Sequence, residues 1–254
     1  MASNDSPTSV RKPRSRMTRR IAALLAAGAI GGLAVTAVAT VEANAVAAPG
    51  SGCAQVAIIT ARASGEAAGE GITGSLVTQI VNSSSQTVSR ASVSYPATLT
   101  NYASSSAQGE SALKTQLTSE VNSCPSTKVV LLGYSQGAQV VEDMFSGGGG
   151  GVLGATTAPL STSITSHVAA VATFGDPRHV TGQAVDLGTA RTNGLFPRSA
   201  SQDSALNAAS ARIQAYCDAN DEFCASGTSL MVHLTYLNRY QNAAASFVLG
   251  KIGG

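Results

Sequence analysis

The stretch K-V-V-L-L-G-Y-S-Q-G at 128–137 carries the strongest structural signal in this chain of 254 residues. Its apolar first half is typical of a strand that is covered on both faces. The second half matches G-x-S-x-G, which between a strand and a helix predicts a sharp turn that lifts a serine hydroxyl above a parallel sheet. We therefore predict a strand over 128–133, a helix over 136–146 and an accessible hydroxyl on Ser135. The alternative is a chance match in a chain rich in Gly and Ser.

Apolar runs and helical patterns alternate on both sides of this turn. Further strands are predicted at 55–60, 91–95, 168–174 and 212–216, and further helices at 104–123, at 234–250 and on the face formed by Ile72, Leu76 and Ile80. With 44% apolar and 12% charged residues, the chain can bury a sizeable core. The alternation predicts one α/β domain, with a mostly parallel five-stranded sheet and helices on both of its faces.

A serine hydroxyl becomes a nucleophile only beside a base, which in turn needs an orienting carboxylate. The chain has three histidines. His167 opens a predicted strand and would lie at the end of the sheet opposite the serine. His179 follows that strand, but its candidate acids, Glu142 and Asp143, lie on the predicted helix after the serine and are expected to be solvated. His233, far downstream, is the best candidate for the base.

The orienting acid should lie between the serine and the base, in a loop that follows a strand. The segment Y-C-D-A-N-D-E-F-C at 216–224 is such a loop, and it contains Asp218, Asp221 and Glu222. A disulfide across this loop would hold a carboxylate rigidly. The pattern leaves the choice among the three acids open, and a solvated loop carboxylate is the alternative for each.

The tetrahedral intermediate of acyl transfer needs hydrogen-bond donors for its oxyanion. One is expected from the residue after the nucleophile, here the N–H of Gln136. The second should come from the loop after an early strand, A-R-A-S-G-E at 61–66, where Ser64 offers both an N–H and a hydroxyl. An ordinary serine in a turn is the alternative for Ser64.

Residues 1–45 have the plan of an export signal, with a basic segment at 11–20, an uncharged apolar run at 21–41 and an A-N-A cleavage site at 43–45. We expect cleavage at that site, secretion, and a catalytic domain over 46–254. The alternative is an uncleaved anchor, because 21 apolar residues can span a bilayer.

The net charge excludes a nucleic-acid binder. The whole chain has 16 Lys and Arg against 14 Asp and Glu, and without the leader 10 basic and 12 acidic residues remain. Such a domain offers no basic surface for nucleic acid. Once the leader is cleaved, we also expect no stable membrane association, and we expect a monomer.

All four cysteines lie outside the leader, and an even count in an exported chain favours disulfides over a metal site. Cys53 and Cys124 each precede a predicted strand, so a bridge between them is reasonable if those strands are parallel neighbours. Cys217 and Cys224 can close the local loop that holds the candidate acids.

The domain resembles the cutinase and acetylxylan esterase family of secreted serine esterases. The resemblance runs from Cys53 to the end of the chain. It is carried by A-R-A-S-G-E at 61–66, C-P-S-T-K-V-V-L-L-G-Y-S-Q-G-A-Q at 124–139, F-G-D-P-R at 174–178, Y-C-D-A-N-D-E-F-C at 216–224 and His233 before Leu234. It implies a small, lidless α/β-hydrolase with a five-stranded parallel sheet.

Transferred residue by residue, the resemblance implies that Ser135 is the nucleophile, His233 the base and Asp221 the acid. It implies Ser64 and Gln136 as the oxyanion donors, and the two disulfides favoured above. The expected substrate is a carboxylic ester, with no metal and no cofactor.

The sequence has features of two branches of this family. F-G-D-P-R and the acidic loop look more like acetylxylan esterases, whereas the apolar lip of Leu230, Met231 and Val232 looks more like cutinases that grip an acyl chain. We predict a secreted carboxylesterase acting on cutin-like polyester or on short-to-medium acyl esters. An acetylxylan esterase and a wall-associated lipase or lipid-binding member with low turnover are the alternatives.

Overall fold

The computed structural model describes residues 52–253, in which all the named strands belong to one parallel sheet. The strands are β1 (Val56–Ala61), β2 (Val88–Ser92), β3 (Lys128–Tyr134), β4 (Val168–Phe174), β5 (Asp186–Leu187) and β6 (Ile213–Tyr216). Their spatial order is β2-β1-β3-β4-β6-β5, with every neighbouring pair parallel. The α/β class is confirmed. The leader predicted over 1–45 lies outside the described residues.

The sheet has six strands, so the expected count of five is one short. The additional strand, β5, has two residues and pairs with β6 at one edge, where no apolar run marks it. At the other edge, β2 lies at 88–92 and not at 91–95 as predicted. Its sequence V-S-R-A-S is half-exposed, and its pairing with β1 ends at Ser92, opposite Thr60. Apolar runs thus locate central strands better than edge strands.

Helices cover both faces of the sheet. They are α1 (Gly74–Ser83), α2 (Tyr102–Ser123), α3 (Gln136–Ser146), α4 (Thr162–Thr165), α5 (Ala200–Asn207), α6 (Leu230–Leu234) and α7 (Tyr236–Ile252). Val130 and Leu132 of β3 join the core formed with α1 and α7, whereas Val129 and Leu131 join the core formed with α2 and α3. Each fully buried Leu contributes ~2 kcal/mol of hydrophobic stabilisation. Within residues 52–253, no helix is both long enough and apolar enough to cross a membrane.

The C-terminal segment forms two helices where the sequence predicts one over 234–250. Thr235, with φ −120° and ψ 20°, breaks the segment and separates His233 on α6 from α7. At the far end of α7, the carbonyl of Ile252 accepts hydrogen bonds from Lys128 Nζ at 2.7 Å and Gln86 Nε2 at 2.6 Å. Because Lys128 opens β3, α7 ends where the strands begin.

Both predicted disulfides are present, and they lie at opposite ends of the sheet. Cys53–Cys124 joins the segments just before β1 and β3, which are adjacent parallel strands. Cys217–Cys224 closes the loop that follows β6. One bridge therefore ties the base of the sheet, and the other shapes a loop at the carboxyl ends of the strands, where sites of α/β proteins are found.

Glu142 and Asp143 on α3 are buried, which corrects the expectation that they are solvated. Asp143 Oδ1 lies 2.8 Å from guanidinium nitrogens of both Arg178 and Arg198, and Glu142 Oε2 lies 3.1 Å from Arg198. Buried carboxyl groups persist where such partners satisfy them. Since the two arginines are distant in sequence, no local pattern reveals the pairing.

Candidate active site

Ser135 lies on a strained turn between β3 and α3. It is not a glycine, yet its backbone has φ 54° and ψ −119°, a conformation that costs on the order of 1–3 kcal/mol and clusters at functional sites. The flanking glycines are required by space. A Cβ on Gly133 would lie 2.6 Å from the carbonyl oxygen of Gly137, and one on Gly137 would lie 2.0 Å from that of Ala61. The turn predicted from G-x-S-x-G is therefore confirmed in geometry.

His233 and Asp221 form a buried pair. His233 Nδ1 lies 2.8 Å from Asp221 Oδ2, and both side chains are shielded from solvent. The N–H groups of Phe223 and Cys224 donate to the other oxygen of Asp221, at 2.7 and 2.9 Å. Burial by itself would raise the pKa of Asp221. The hydrogen bond and charge of His233 and the two N–H groups outweigh it, so this pKa lies below its ordinary value.

Of the three candidate acids, Asp221 is the one whose carboxylate meets an imidazole. Asp218 instead accepts hydrogen bonds at 2.8 Å from Arg239 Nε and from the hydroxyl of Tyr240, and so anchors its loop to α7. Glu222 is half-buried in the same loop. The structure thus brings His233 together with the acid that the family resemblance implies.

The other two histidines lie elsewhere. The carbonyl of His167 accepts from Val129 N at the start of β3, at the end of the sheet away from Ser135, as predicted. His179 is buried with its Nδ1 3.4 Å from Asp186 of β5. Neither is paired with an acid of the 216–224 loop.

Two tyrosines hold the pair in place, and sequence reasoning missed both. The Tyr236 hydroxyl donates to Asp221 Oδ2 at 2.8 Å and accepts from Asp218 N at the same distance. The Tyr134 hydroxyl donates to the carbonyl of His233. Tyr134 is the variable residue of the G-Y-S-Q-G turn, and Tyr236 lies three positions after His233, at the start of α7. Their closeness in sequence to Ser135 and His233 is the signal that could have identified these two tyrosines.

Gly175, just beyond β4, was also missed. Its backbone has φ 68°, and a Cβ there would lie 2.7 Å from Cε1 of His233. The imidazole therefore packs directly on the backbone at the carboxyl end of a central strand. The end of the same strand also holds the serine, because Ser135 N donates to the carbonyl of Phe174, the last residue of β4, at 2.8 Å.

The two predicted oxyanion donors have contrasting surroundings. The side chain of Gln136 is held by Ser105 Oγ at 3.0 Å and by the carbonyl of Thr98 at 3.3 Å, and its backbone N–H opens α3. Ser64 Oγ is buried and makes no hydrogen bond within residues 52–253. A buried, unused hydroxyl is unusual and points to a role outside the resting fold.

The predicted lip of Leu230, Met231 and Val232 lies on α6, the short helix that contains His233. Met231 is 68% exposed and Leu234, on the same helix, is 50% exposed, whereas Leu230 and Val232 are half-buried. No group of three or more His, Cys, Asp or Glu side chains suited to a metal ion occurs among the described residues.

Comparison with known proteins identifies the family of this chain. The sequence model of the cutinase family matches residues 52–252. Acetylxylan esterase 2 from Talaromyces purpureogenus is 36% identical over 155 residues, which are 60% of this chain and 65% of that protein, so the chain spans just under two thirds of that relative. Phospholipase Culp4 from Mycobacterium tuberculosis is 30% identical over 241 residues, which are 94% of this chain and 95% of that protein.

The fold has solved counterparts as well. The catalytic core domain of acetyl xylan esterase from Trichoderma reesei is similar with a TM-score of 0.73 and 31% identity, and the match covers 79% of this chain and 100% of that one. The family match extends over nearly all of the described residues, and a relative at 30% identity is covered almost completely. The chain therefore belongs to the cutinase family of carboxylic ester hydrolases.

Proposed function

We propose that Ser135, His233 and Asp221 act as a catalytic triad that hydrolyses carboxylic esters through an acyl-enzyme. Ser135 Oγ attacks the carbonyl carbon while His233 Nε2 takes its proton, and Asp221 stabilises the resulting imidazolium. The bond to the alcohol oxygen then breaks, and His233 returns the proton to the leaving alcohol. A water molecule that gives a proton to His233 attacks the acyl group, which releases the acid and restores Ser135.

The oxyanion of each tetrahedral intermediate would be bound by the N–H of Gln136 and by Ser64. The start of α3 supports this assignment, because helix N-termini stabilise negative charge. The buried, unused hydroxyl of Ser64 supports it too. Removal of one such donor typically costs 10²–10³-fold in kcat, so Ser64→Ala should lower kcat by about that factor.

The observation that carries the proposal is the buried hydrogen bond between His233 and Asp221. Within residues 52–253, Ser135 is the only serine in a G-x-S-x-G sequence, and it lies on the strained turn. Ser135→Ala should lose at least about 10⁴-fold in kcat against a p-nitrophenyl ester. Retention of full activity by this variant would refute the assignment of the nucleophile.

The acid is tested by a matched pair of variants. Asp221→Asn should lower kcat by about 10⁴-fold, because an amide stabilises the wrong tautomer of the base. Asp218→Asn, in the same loop, should cost far less because Asp218 bonds Arg239 and Tyr240. The reverse order of losses would move the role to Asp218.

For the substrate, we favour cutin-like polyester or short-to-medium acyl esters. The apolar lip on α6, with Met231 68% exposed beside His233, supports binding of an acyl chain. Acetylated xylan is the alternative, supported by the names of the relatives in sequence and structure. With 4% aromatic residues and no Trp, the chain offers few rings on which a sugar polymer could stack.

Hydrolysis of p-nitrophenyl esters from acetyl to palmitoyl separates these substrates. A sharp preference for acetyl favours deacetylation of a carbohydrate, with acetylated xylan tested next. Activity from butyryl upward favours polyester or lipid ester hydrolysis across the lip. Absence of turnover at every acyl chain length favours the second alternative, a wall-associated lipid-binding member. Release of fatty acid from phospholipid vesicles instead favours the lipase form of that alternative, which the name of Phospholipase Culp4 suggests.

The proposal includes secretion as a monomer after removal of the leader. Its support is the signal-like sequence of residues 1–45 and the two disulfides, which are typical of oxidising compartments. N-terminal sequencing of protein from the culture medium should begin just after Ala45. A start at residue 1 in a membrane fraction would instead support an anchored form. Light scattering of the purified protein checks the monomer.

A further inference from the structure

We propose that Glu66 is a positioning residue of the oxyanion hole, which together with Arg62 fixes the loop that carries Ser64. This inference rests on the proposed function, because it takes Ser64 and Gln136 as the oxyanion donors. Glu66 itself would not touch the substrate. Its carboxylate would hold the backbone around Ser64 before an ester arrives, so that no reorganisation is needed in the transition state.

The carboxylate of Glu66 bridges two turns of the chain. Its Oε2 accepts from Ala63 N at 2.6 Å, and its Oε1 accepts from Ile72 N at 2.7 Å. These are short charge-assisted hydrogen bonds, the stronger kind in proteins. The carboxylate fills the space above Gly71, where a Cβ would lie 2.2 Å from Oε2. The loop is thus built around this side chain.

Arg62 ties the same loop from the other side. The arginine is buried, and its Nη2 donates to the carbonyl of Tyr95 at 2.6 Å, its Nη1 to that of Val93 at 3.3 Å and its Nε to that of Glu66 at 3.0 Å. Its guanidinium carbon lies 5.1 Å from the centre of the Tyr95 ring. The loop is restrained further by the hydrogen bond from Gly65 N to the carbonyl of Ala97 at 2.7 Å.

These bonds determine what Ser64 can do. The N–H groups on either side of it, those of Ala63 and Gly65, are both taken by loop partners. The Ser64 hydroxyl is buried and unused within the described part of the chain. A segment held at both flanks with a free donor between them has the organisation expected of a preformed anion site.

The loop also touches the turn that carries Gln136. The carbonyls of Ala61 and Arg62 would lie 2.0 and 2.6 Å from a Cβ on Gly137, so the backbones of the two segments are in direct contact. A small movement of the 61–66 loop therefore changes the distance between Ser64 and the Gln136 N–H. Misplacement by about 1 Å can cost about 100-fold in rate.

The chemistry of Glu66 allows a graded test. Each carboxylate oxygen accepts one N–H, whereas a glutamine has one oxygen, and its NH₂ group cannot accept. Glu66→Gln should keep one of the two bonds, and Glu66→Ala should keep neither. The matched controls are Glu70→Gln and Glu70→Ala, since Glu70 lies in the same loop region but pairs with Arg90 at the surface.

We would measure kcat and KM with the shortest p-nitrophenyl ester that the wild type hydrolyses, and the inhibition constant of an aryl trifluoromethyl ketone. This inhibitor adds to the serine and places an oxyanion in the hole. We expect kcat to fall about 10-fold in Glu66→Gln and about 100-fold or more in Glu66→Ala, with KM nearly unchanged. The inhibition constant should rise in parallel with the loss of kcat/KM, and the Glu70 variants should match the wild type.

A purely structural role predicts something else. It would lower the melting temperature while kcat per folded molecule and the inhibition constant stay at wild-type values, and that result overturns the proposal. If Glu66→Ala does not fold, Glu66→Gln decides the question alone, and an unchanged kcat in it is equally negative. Failure of the proposed function looks different, because the wild type would then be inactive or Ser135→Ala active.

Discussion

Gly175 shows how one missing side chain shapes the candidate site. Any Cβ at this position would meet the ring of His233 at 2.7 Å, on a backbone with φ 68°. We expect Gly175→Ala to push the imidazole out of line and to lower kcat/KM by about 100-fold or more. Gly182→Ala is the matched control, since Gly182 also has positive φ, 89°, but has nothing within 4 Å of its added Cβ. Equal losses in both variants would mean that backbone strain, and not the clash, is responsible.

Tyr236 is expected to act on rate through Asp221. Tyr236→Phe removes the hydroxyl bond to Asp221 Oδ2, which should lower the free energy of unfolding by about 2 kcal/mol. It should also lower kcat/KM on the order of 10-fold, since each 1.4 kcal/mol of lost transition-state stabilisation is tenfold. Tyr240→Phe loses a hydrogen bond of the same length to Asp218, so its free energy of unfolding should fall while its kcat/KM stays at the wild-type value. Denaturant titration and initial rates on both variants check this.

At this scale, the residues that sequence could predict are those with a local signature. Ser135 has its turn, and Asp221 and His233 follow from chain order and from family resemblance. Tyr134, Tyr236 and Gly175 have no such signature, because their roles arise from hydrogen bonds and packing across 15 to 99 positions of sequence or from an approach of the His233 ring to a strand end. Long-range geometry of this kind is invisible to periodicity.

Among the structural elements, the two disulfides should have separable effects. In the chain-entropy account, the bridge that closes 71 residues contributes about 4 kcal/mol and the one that closes seven contributes about 2 kcal/mol. Replacing Cys53 and Cys124 by Ser should therefore cost more stability. Replacing Cys217 and Cys224 should cost more activity, because Cys224 N donates to Asp221.

The measurement is kcat/KM at low temperature, where both double variants are folded, together with denaturant unfolding. We expect the Cys53/Cys124 variant to keep wild-type kcat/KM and the Cys217/Cys224 variant to lose about 10-fold. Activity losses that simply follow stability losses in both variants would show that the acidic loop needs no covalent support.

The central elements were predictable from sequence, and the edges were not. Strands β1, β3 and β4 are mostly apolar because helices cover both their faces, so their bounds were predicted within a residue. The half-exposed β2 was displaced by three residues, and β5 was missed. The break at Thr235 separates α6, which contains His233, from α7, and no proline or glycine at that position predicts it.

For the whole molecule, a buried charge cluster beneath α3 links several elements. It contains four carboxyl groups and two guanidinium groups, those of Glu110, Glu142, Asp143, Asp176, Arg178 and Arg198. Burial and the neighbouring Asp143 raise the pKa of Glu110 to about 8. Burial and Asp176 raise the pKa of Glu142 well above its ordinary value. Both shifts favour the neutral carboxyl, which reduces the negative charge that four buried acids would otherwise place beside two guanidinium groups.

The raised pKa of Glu110 makes stability depend on pH. A proton held more tightly in the folded state stabilises it fully below the ordinary glutamate pKa of about 4.5. That contribution is lost as the pH rises through about 8. The free energy of unfolding should therefore decline from about pH 5 to about pH 9. In Glu110→Gln, whose amide imitates the protonated carboxyl, the decline should be smaller.

Chemical denaturation across this pH range checks the effect, with Glu120→Gln, a half-buried glutamate on the same helix, as the control. If Glu110→Gln and the wild type have parallel pH profiles, Glu110 is already ionised in the folded protein. The composition of the chain predicts a sizeable core, and the alternation of strand and helix patterns predicts one domain. Neither predicts this cluster, because its members are distant in sequence and come together only in the fold.

The fastening of α7 at Ile252 to Lys128 and Gln86 has a practical consequence for handling the protein. Those partners lie where the strands begin, whereas Ser135 and His233 lie where the strands end. A resin or electrode coupled through a tag placed after α7 would therefore hold the molecule at the end of the sheet where the strands begin. The opposite end, with Ser135 and His233, would then face the medium. Immobilised and free preparations should hydrolyse a soluble ester at equal rates per molecule, and a large deficit on the resin would contradict this orientation.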